Sequence, residues 1–401
     1  MLARLLPLVA LAGTLAACGP TLAQREATAQ PAIEALRAAR FADARTQAGA
    51  VLKQDGANPY ARLVDAVARY RDVMHGLATD IPSILLGALL TRGFSDRLLH
   101  VALESADRDL AVVDEDLARA AAFPALTLDL CLACWKVDWN RNGRVDDRDE
   151  ALLEIEQDAD GKRLPEGDPR RKPTFKFDHG DVLWARAMVS FQRALLNAVL
   201  AYDWSGFDAQ GAMRGRANLV VKLARPERMQ AARALILAGL DQADACRRAY
   251  LAETDDEREW VPNPRQKSHP LPLPVDAALY ETWELVLGDL RRIVRGEEGV
   301  SVAELAQLGD HKWNEPPGGY LDLGGMLARP KDLALDFANL RERDLDKRDR
   351  VEAALAEAFG QYYRRDMKPS PLLGRLARMK GEIARGHESF ERKLRYLIWL
   401  N

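Results

Sequence analysis

The residues whose types and spacing most clearly suggest a binding site lie in one acidic turn in the first half of the chain. Side chains with oxygen donors alternate there with other residues, at Asp138, Asn140, Asn142, Asp146 and Asp149. Calcium takes six to eight hard oxygen ligands in a flexible shell. Alternating residues of a turn can deliver such ligands without a preformed cavity, so we expect this segment to bind a divalent cation.

The twelve residues 138–149 resemble the calcium loop of EF-hand proteins, with Gly143 where the chain must turn sharply around the ion. The resemblance implies side-chain ligands at the first, third, fifth, ninth and twelfth positions and a backbone carbonyl at the seventh. The implied ligands are Asp138, Asn140, Asn142, Arg144, Asp146 and Asp149. The implied cofactor is calcium.

Two departures from the EF-hand pattern predict weak binding. Asp149 closes the loop where EF-hand proteins usually have Glu, and Asn140 and Asn142 are neutral. Fewer charged ligands favour dissociation constants of roughly 10⁻⁴–10⁻³ M, the range of extracellular modules. We therefore expect a structural site and not a sensor. The alternative interpretation is a surface turn that binds nothing.

Apolar residues on both sides of the loop predict flanking helices. Residues 130, 133, 134 and 137 would form the apolar face of an entering helix, and Leu152, Leu153 and Ile155 that of an exiting one. The segment 123–168 is thus expected to be a single EF-hand-like helix-loop-helix. A second acidic turn, 156–161, is followed by Arg163 and Gly167 at positions that do not fit the pattern, and we expect it to be a solvated loop.

The first seventeen residues predict that the protein is exported from the cytoplasm. Arg4 precedes an apolar stretch that is too short to span a bilayer comfortably, which is typical of a secretory signal peptide. The following Leu15-Ala16-Ala17-Cys18 resembles the lipobox of bacterial lipoproteins. The resemblance implies cleavage before Cys18, acylation of that residue and membrane attachment. Gly19 favours the outer membrane, facing the periplasm; an ordinary signal peptide is the alternative.

Three further cysteines remain after such processing. Cys131 and Cys134 have CxxC spacing in an apolar pattern that we interpret as helical, so both are expected to be small buried hydrophobic residues. A disulfide from Cys246 to one of them is the alternative, because the cell envelope is oxidising.

The composition excludes some classes of protein. The chain has 401 residues with 57 Lys+Arg and 60 Asp+Glu, so it lacks the basic excess of a nucleic-acid-binding protein. With 48% hydrophobic and 29% charged residues it fits neither intrinsic disorder nor a polytopic membrane protein.

The periodicity of apolar residues predicts a mainly α fold made of helical hairpins. Residues 39–59 resemble the second half of a tetratricopeptide repeat, with Phe41 wedged between two helices, but no further copy follows at a fixed period. The best amphipathic helix covers 180–202, and the apolar stretch 81–90 is expected to be a buried helix. We expect a signal peptide (1–17), a tether (18–30), an N-terminal helical region (31–122), the helix-loop-helix (123–168), a central helical region (169–260), a Pro-rich linker (261–275) and a C-terminal helical region (276–401).

The sequence Asp178-His179-Gly180-Asp181 can be interpreted in two ways. These side chains could ligate a metal or form an acid/base pair, but Asp178 also stands where an N-cap belongs, and we favour the cap. No established catalytic motif occurs in the chain. The basic segment 372–400 is expected to be a docked terminal helix, with a membrane-surface helix as the alternative.

These features predict an envelope-anchored, calcium-binding lipoprotein with a binding or scaffolding role. A protein partner and the membrane, reached through acylated Cys18, are the expected partners, and nucleic acid is not one. The alternatives are an envelope enzyme with dispersed active-site residues, near His179 or His311, and an accessory solute-binding or assembly lipoprotein.

Overall fold

The computed structural model describes most of the chain between residues 19 and 383. The described residues are 19–91, 95–138, 144–145, 154–158, 162–208, 211, 218–269, 275–308, 316–336 and 348–383. This part is mainly α, as expected, with eleven helices packed as hairpin pairs and a few short strands. Within it, no helix is both long and apolar enough to cross a membrane.

The helices are α1 (Leu22–Arg37), α2 (Phe41–Gln54), α3 (Pro59–Thr91), α4 (Asp96–Ala121), α5 (His179–Leu200), α6 (Pro226–Ala252), α7 (Ala277–Arg295), α8 (Val302–Leu308), α9 (Leu323–Ala328), α10 (Arg348–Phe359) and α11 (Leu372–Ile383). The pairs α3–α4 and α5–α6 pack most extensively, and α4 joins the two pairs through α5.

Within the described residues, eight strands form three small antiparallel sheets. They are β1 (Leu128–Leu130), β2 (Phe175–Phe177), β3 (Tyr202–Asp203), β4 (Asn218–Leu223), β5 (Val300–Ser301), β6 (Tyr320–Leu321), β7 (Leu333–Asp336) and β8 (Tyr363–Arg364). β1 pairs with β2, β4 lies between β3 and β7, and β6 lies between β5 and β8. The β1–β2 pair borders a cavity.

The expected tether is wrong from Leu22 onward, since α1 begins there. Thr21 caps this helix with a capping box that includes Gln24. Ala29 and other small or aliphatic residues of α1 are buried against the neighbouring helices, so burial of one apolar face accounts for the helix. The hairpin of α1 and α2 is present where expected, with Phe41 buried at the start of α2. Its resemblance to a tetratricopeptide repeat stays a prediction.

The helix predicted to enter the acidic loop is also wrong. Residues 128–130 form β1, in register with β2 from Leu128–Phe177 to Leu130–Phe175, and residues 132–134 form a single 3-10 turn. Leu128 and Leu130 are buried while Asp129 between them is half-buried, so the apolar pattern has a period of two here. On the exit side Ile155 is buried in a non-helical segment, where its N–H donates to the carbonyl of Arg171 at 3.0 Å.

Two further expectations need correction. The stretch 81–90 is helical as the end of α3, but it is not a buried helix, because Leu85 and Leu86 are 40% and 57% exposed. The described part of the Pro-rich linker, 261–269, packs closely on the end of α6, where Asn263 is fully buried and donates to the Tyr250 carbonyl at 2.8 Å. Residues 270–274 and 384–401 lie outside the described part of the chain.

Candidate functional site: an apolar cavity beside an acidic cluster

An apolar cavity of about 260 Å³ lies where α3, α4, α5 and the β1–β2 pair meet. Apart from Tyr70 and Asp181, its lining side chains are aliphatic or aromatic. Several of them, including Val67, Leu132 and Met188, are only half-buried, so the cavity is not fully enclosed. A concave apolar site with few polar groups is the usual form of a small-molecule binding site.

The amphipathic pattern of α5 explains why this helix forms one wall of the cavity. Trp184 and Met188, one helical turn apart, belong to the aromatic and aliphatic stripe predicted from the sequence, and both line the cavity. Trp260 also lines the cavity, and its ring contacts that of Phe177 of β2 at a centroid distance of 4.6 Å. The wall is therefore built from residues that are distant in sequence.

Asp181, at one end of the cavity, belongs to the capping box of α5. Asp178 is the N-cap, as expected, and its Oδ1 accepts hydrogen bonds from the N–H groups of Gly180 (2.7 Å) and Asp181 (3.4 Å). The Asp178 N–H donates in return to Oδ2 of Asp181 at 2.9 Å. Oδ1 of Asp181 accepts a hydrogen bond from the Tyr250 hydroxyl at 2.7 Å.

Glu253 and Glu259 come from the end of α6 and the segment that follows it. Glu253 is the C-cap of α6, and its Oε2 accepts from the side chain of Gln266 at 3.3 Å. Glu259 is buried, and its Oε1 accepts from the Glu257 N–H at 2.9 Å. We call the four carboxyl groups of Asp178, Asp181, Glu253 and Glu259 the acidic cluster.

Gly180 lets the two helix ends approach closely enough to bring these carboxyl groups together. A Cβ atom at this position would lie 2.5 Å from the ring of Tyr250 and 3.1 Å from Oε1 of Glu253. Only glycine fits there without a shift of α5 against α6.

Burial and mutual repulsion raise the pKa values of the acidic cluster. Burial, reinforced by the charge of Asp178, raises the pKa of Glu253 to about 9 and that of Asp181 well above its usual range. Burial likewise raises the pKa of Glu259 to about 7. At neutral pH Glu253 therefore keeps its proton. The nearby Lys176 ammonium is already paired with Asp255 (2.6 Å) and Glu257 (3.1 Å).

The acidic cluster can bind a proton or a cation. One oxygen each of Asp178, Glu253 and Glu259 lies within 4.8 Å of the others, so this triad could hold a metal ion. Carboxylate oxygens of this kind suit hard divalent ions. Deprotonation of Glu253 would accompany metal binding, because a ligating carboxyl group must be ionised.

The predicted calcium ligands are described only in part. Asp138 is half-buried and Arg144 is exposed, whereas Asn140, Asn142, Asp146 and Asp149 lie outside the described residues, as does Cys18. The predicted calcium site is therefore not tested by the described residues, and it stays a prediction.

Cys131 and Cys134 form a disulfide with each other, whereas Cys246 is a buried free thiol. Both interpretations of these cysteines from the sequence are therefore wrong. We did not predict this disulfide because we expected a helix here. The short strand and the turn that follows it bring the two Cα atoms to 5.2 Å, which is within the range of a disulfide.

Sequence reasoning missed Glu253, Glu259 and the cavity. The acidic run around 253–259 has no motif spacing, and its closeness to Asp178 depends on the antiparallel packing of α5 and α6. The sequence did single out Asp178 and Asp181, but only their capping role could be read locally.

Comparisons with known proteins add no further assignment. The chain matches no model of a protein family, no curated protein and no solved structure. The function of the protein is therefore inferred from the geometry and chemistry of the site alone.

Proposed function

We propose that the protein is a binding protein that takes a small, apolar ligand into the cavity beside the acidic cluster. The observation that carries this proposal is the cavity itself, because apolar side chains form nearly all of its lining. Apolar side chains that face an empty or water-filled cavity can bury further apolar surface against a ligand. Each ligand methylene that moves from water into the cavity contributes about 0.8 kcal/mol to the free energy of binding.

The volume and charge of the site restrict the ligand. About 260 Å³ lies just below the usual range for ligand pockets of 300–1,000 Å³, so the ligand, or the part of it that enters, is small. The acidic cluster borders the cavity through Asp181, and the side chains that line the cavity include no Lys, Arg or His that could pair with an anionic ligand. We therefore propose an uncharged or cationic apolar molecule.

We place this binding role in the cell envelope. The support is the signal-peptide pattern of residues 1–17 and the lipobox-like sequence that ends at Cys18. Because α1 begins at Leu22, an acyl group on Cys18 would hold the start of that helix close to the membrane. Gly19 favours the periplasmic face of the outer membrane. Binding of a protein partner in addition to the small ligand belongs to the same proposal.

Calcium binding remains part of the proposal at two places. The 138–149 loop is supported by its spacing of oxygen ligands, although its entering segment is a strand and a turn. The triad of Asp178, Glu253 and Glu259 is supported by the proximity of its carboxylates. Asp138→Ala tests the loop and Glu253→Gln tests the triad, with calcium titration by calorimetry as the common measurement. Loss of calcium binding in only one of the variants assigns the ion to that place.

Enzymatic activity is a second candidate function. It is favoured by Glu253, a carboxyl group that holds a proton at neutral pH close to an apolar cavity, as a general acid does. His179, the residue singled out earlier, lies beside the cluster, and burial lowers its pKa. Turnover of a bound ligand that is lost in Glu253→Gln, with binding retained, would establish this function.

A titration with the uncharged fluorophore prodan tests the binding role. We expect saturable binding with a blue shift of the emission, because the dye moves from water into an apolar site. Ala185 lines the cavity from α5, so Ala185→Leu fills part of it and should weaken binding at least about tenfold. The matched control is Ala50→Leu, at an exposed position of α2. Equal binding by all three proteins, or no binding, would refute the proposal.

A further inference from the structure

The Cys131–Cys134 disulfide lies in the wall of the cavity. Leu132, inside the four-residue ring that the disulfide closes, lines the cavity, and so do Leu130 and Trp135 on either side of it. Leu132 also packs against the two hydrophobic clusters that meet here, one between the N-terminal helices and one around Phe175 and Trp260. The ring therefore holds a lining residue in place.

Among the described residues, few backbone hydrogen bonds hold this part of the wall. The pairing of β1 with β2 ends at Leu130, and within the described residues the backbone hydrogen bonds that follow are local ones, from Cys134 N–H to the Cys131 carbonyl and from Trp135 N–H to the Leu132 carbonyl. Trp135 anchors the far end, with its ring edge-on to Phe41 at 5.2 Å. Between these two anchors the disulfide adds a covalent constraint on the position of Leu132 to the apolar packing of its side chain.

The disulfide is accessible from solvent. Cys134 is exposed, whereas Cys131 is half-buried, with its Sγ 3.4 Å from the Lys172 carbonyl oxygen. An attacking thiolate therefore reaches the sulfur of Cys134 more easily than that of Cys131. The thiol released at Cys131 can donate a hydrogen bond to the Lys172 carbonyl, which stabilises the reduced state.

We propose that Cys131–Cys134 is a site of thiol–disulfide exchange with a dithiol, and that its oxidation state sets the affinity of the cavity. The first thiolate of the dithiol attacks Sγ of Cys134, so that the bond between the two cysteines breaks and Cys131 leaves as a thiolate, which takes up a proton. The second thiolate of the dithiol then attacks the mixed disulfide and releases Cys134. The dithiol is oxidised to a disulfide while the protein gains two electrons and two protons.

Reduction removes the constraint on Leu132 and loosens the wall. The part of the proposal that concerns affinity rests on the proposed function of the cavity, whereas the exchange reaction does not. In the chain-entropy model, closing a ring of four residues changes an equilibrium constant by a factor of about twenty. We expect the loss of affinity on reduction to stay below this factor, because the rest of the wall keeps its packing.

Alkylation of the native protein tests the exchange reaction. The full processed chain is incubated with dithiothreitol, quenched with iodoacetamide and analysed by peptide mass spectrometry. We expect rapid labelling of Cys131 and Cys134 under native conditions and no labelling of Cys246, which is fully buried. A disulfide that is reduced only after unfolding would overturn the proposal.

Prodan titration of the oxidised and reduced forms tests the effect on affinity. We expect the dissociation constant to rise severalfold, at most about twentyfold, on reduction and to return on reoxidation. The double variant with Cys131→Ser and Cys134→Ser should bind like the reduced protein and no longer respond to dithiothreitol, whereas Cys246→Ser should keep the response. Equal affinities of the oxidised and reduced forms would refute the coupling. If no form binds the dye, the proposed function fails and the coupling with it, while the alkylation result still decides on exchange.

Discussion

Replacing Glu253 by Gln should stabilise the protein at alkaline pH and leave its stability unchanged in acid. The native-state pKa of Glu253 is about 9, against 4.5 for an unperturbed Glu. Between these values the unfolded chain releases a proton that the native state retains, so the free energy of unfolding falls as the pH rises. The stability due to this proton is fully present below about pH 4.5 and is lost progressively up to about pH 9. Gln is uncharged at every pH, and its amide group can donate a hydrogen bond to the neighbouring Asp178 carboxylate in place of the protonated Glu.

The expected difference follows from the slope of this dependence. One retained proton lowers the free energy of unfolding by about 1.4 kcal/mol per pH unit, or roughly 4 kcal/mol from pH 5 to pH 8. Glu253 is only half-buried, so solvent screens much of this, and we expect Glu253→Gln to be more stable than the native sequence by about 1–2 kcal/mol at pH 8.

Urea denaturation at pH 5, 6.5 and 8 measures this difference directly. Glu281→Gln, at an exposed position of α7, is the matched control and should show no pH-dependent difference from the native sequence. A Glu253→Gln variant that is less stable than the native sequence at pH 8, or a difference that does not change with pH, would show that Glu253 is ionised and well compensated in the folded protein.

Three further predictions concern acylation, calcium and helix packing. Cys18→Ser should abolish acyl labelling and release the protein from the membrane fraction or leave the precursor unprocessed; undiminished labelling would contradict the lipoprotein assignment. Millimolar calcium should raise the melting temperature, by an amount that corresponds to about 2.7 kcal/mol at a hundredfold excess over Kd. The double variant with Asp138→Ala and Asp149→Ala should not show this increase. If the native sequence and the double variant respond alike, the loop is not the site. Gly180→Ala should destabilise the protein by about 1–3 kcal/mol, because its Cβ would meet a tyrosine ring at 2.5 Å. The control is Gly49→Ala in α2, which should stabilise the protein by about 0.5–1 kcal/mol because no atom lies within 4 Å of the new Cβ. Equal effects of the two substitutions in thermal denaturation would contradict the packing argument.

Local sequence patterns predicted the helices well because burial of one apolar face is what forms them. The stripe through Trp184 and Met188 predicted α5, and Asp178 predicted the place where it starts. The same reasoning failed around Cys131, because the spacing of apolar residues there fits a helix as well as a strand followed by a turn. Only the pairing of β1 with β2, between residues almost fifty positions apart, decides between the two.

The candidate site could be predicted only in fragments. Asp178 and Glu253 are 75 positions apart, and no local pattern indicates that their carboxyl groups meet. Their closeness depends on the packing of α5 against α6 and on the missing side chain of Gly180. The cavity likewise depends on how four separate elements fit together, which the periodicity of each element does not specify.

The most direct test of ligand binding in the cavity is NMR spectroscopy of the protein with [¹³C]methyl-labelled methionine. Met188 lines the cavity, whereas Met229 is buried in a separate cluster between α5 and α6. Met188→Leu and Met229→Leu assign the two methyl signals. We predict that an uncharged apolar ligand shifts the Met188 signal in a saturable manner and leaves the Met229 signal in place. A bound ligand that leaves the Met188 signal unchanged would contradict the assignment of the cavity as the binding site.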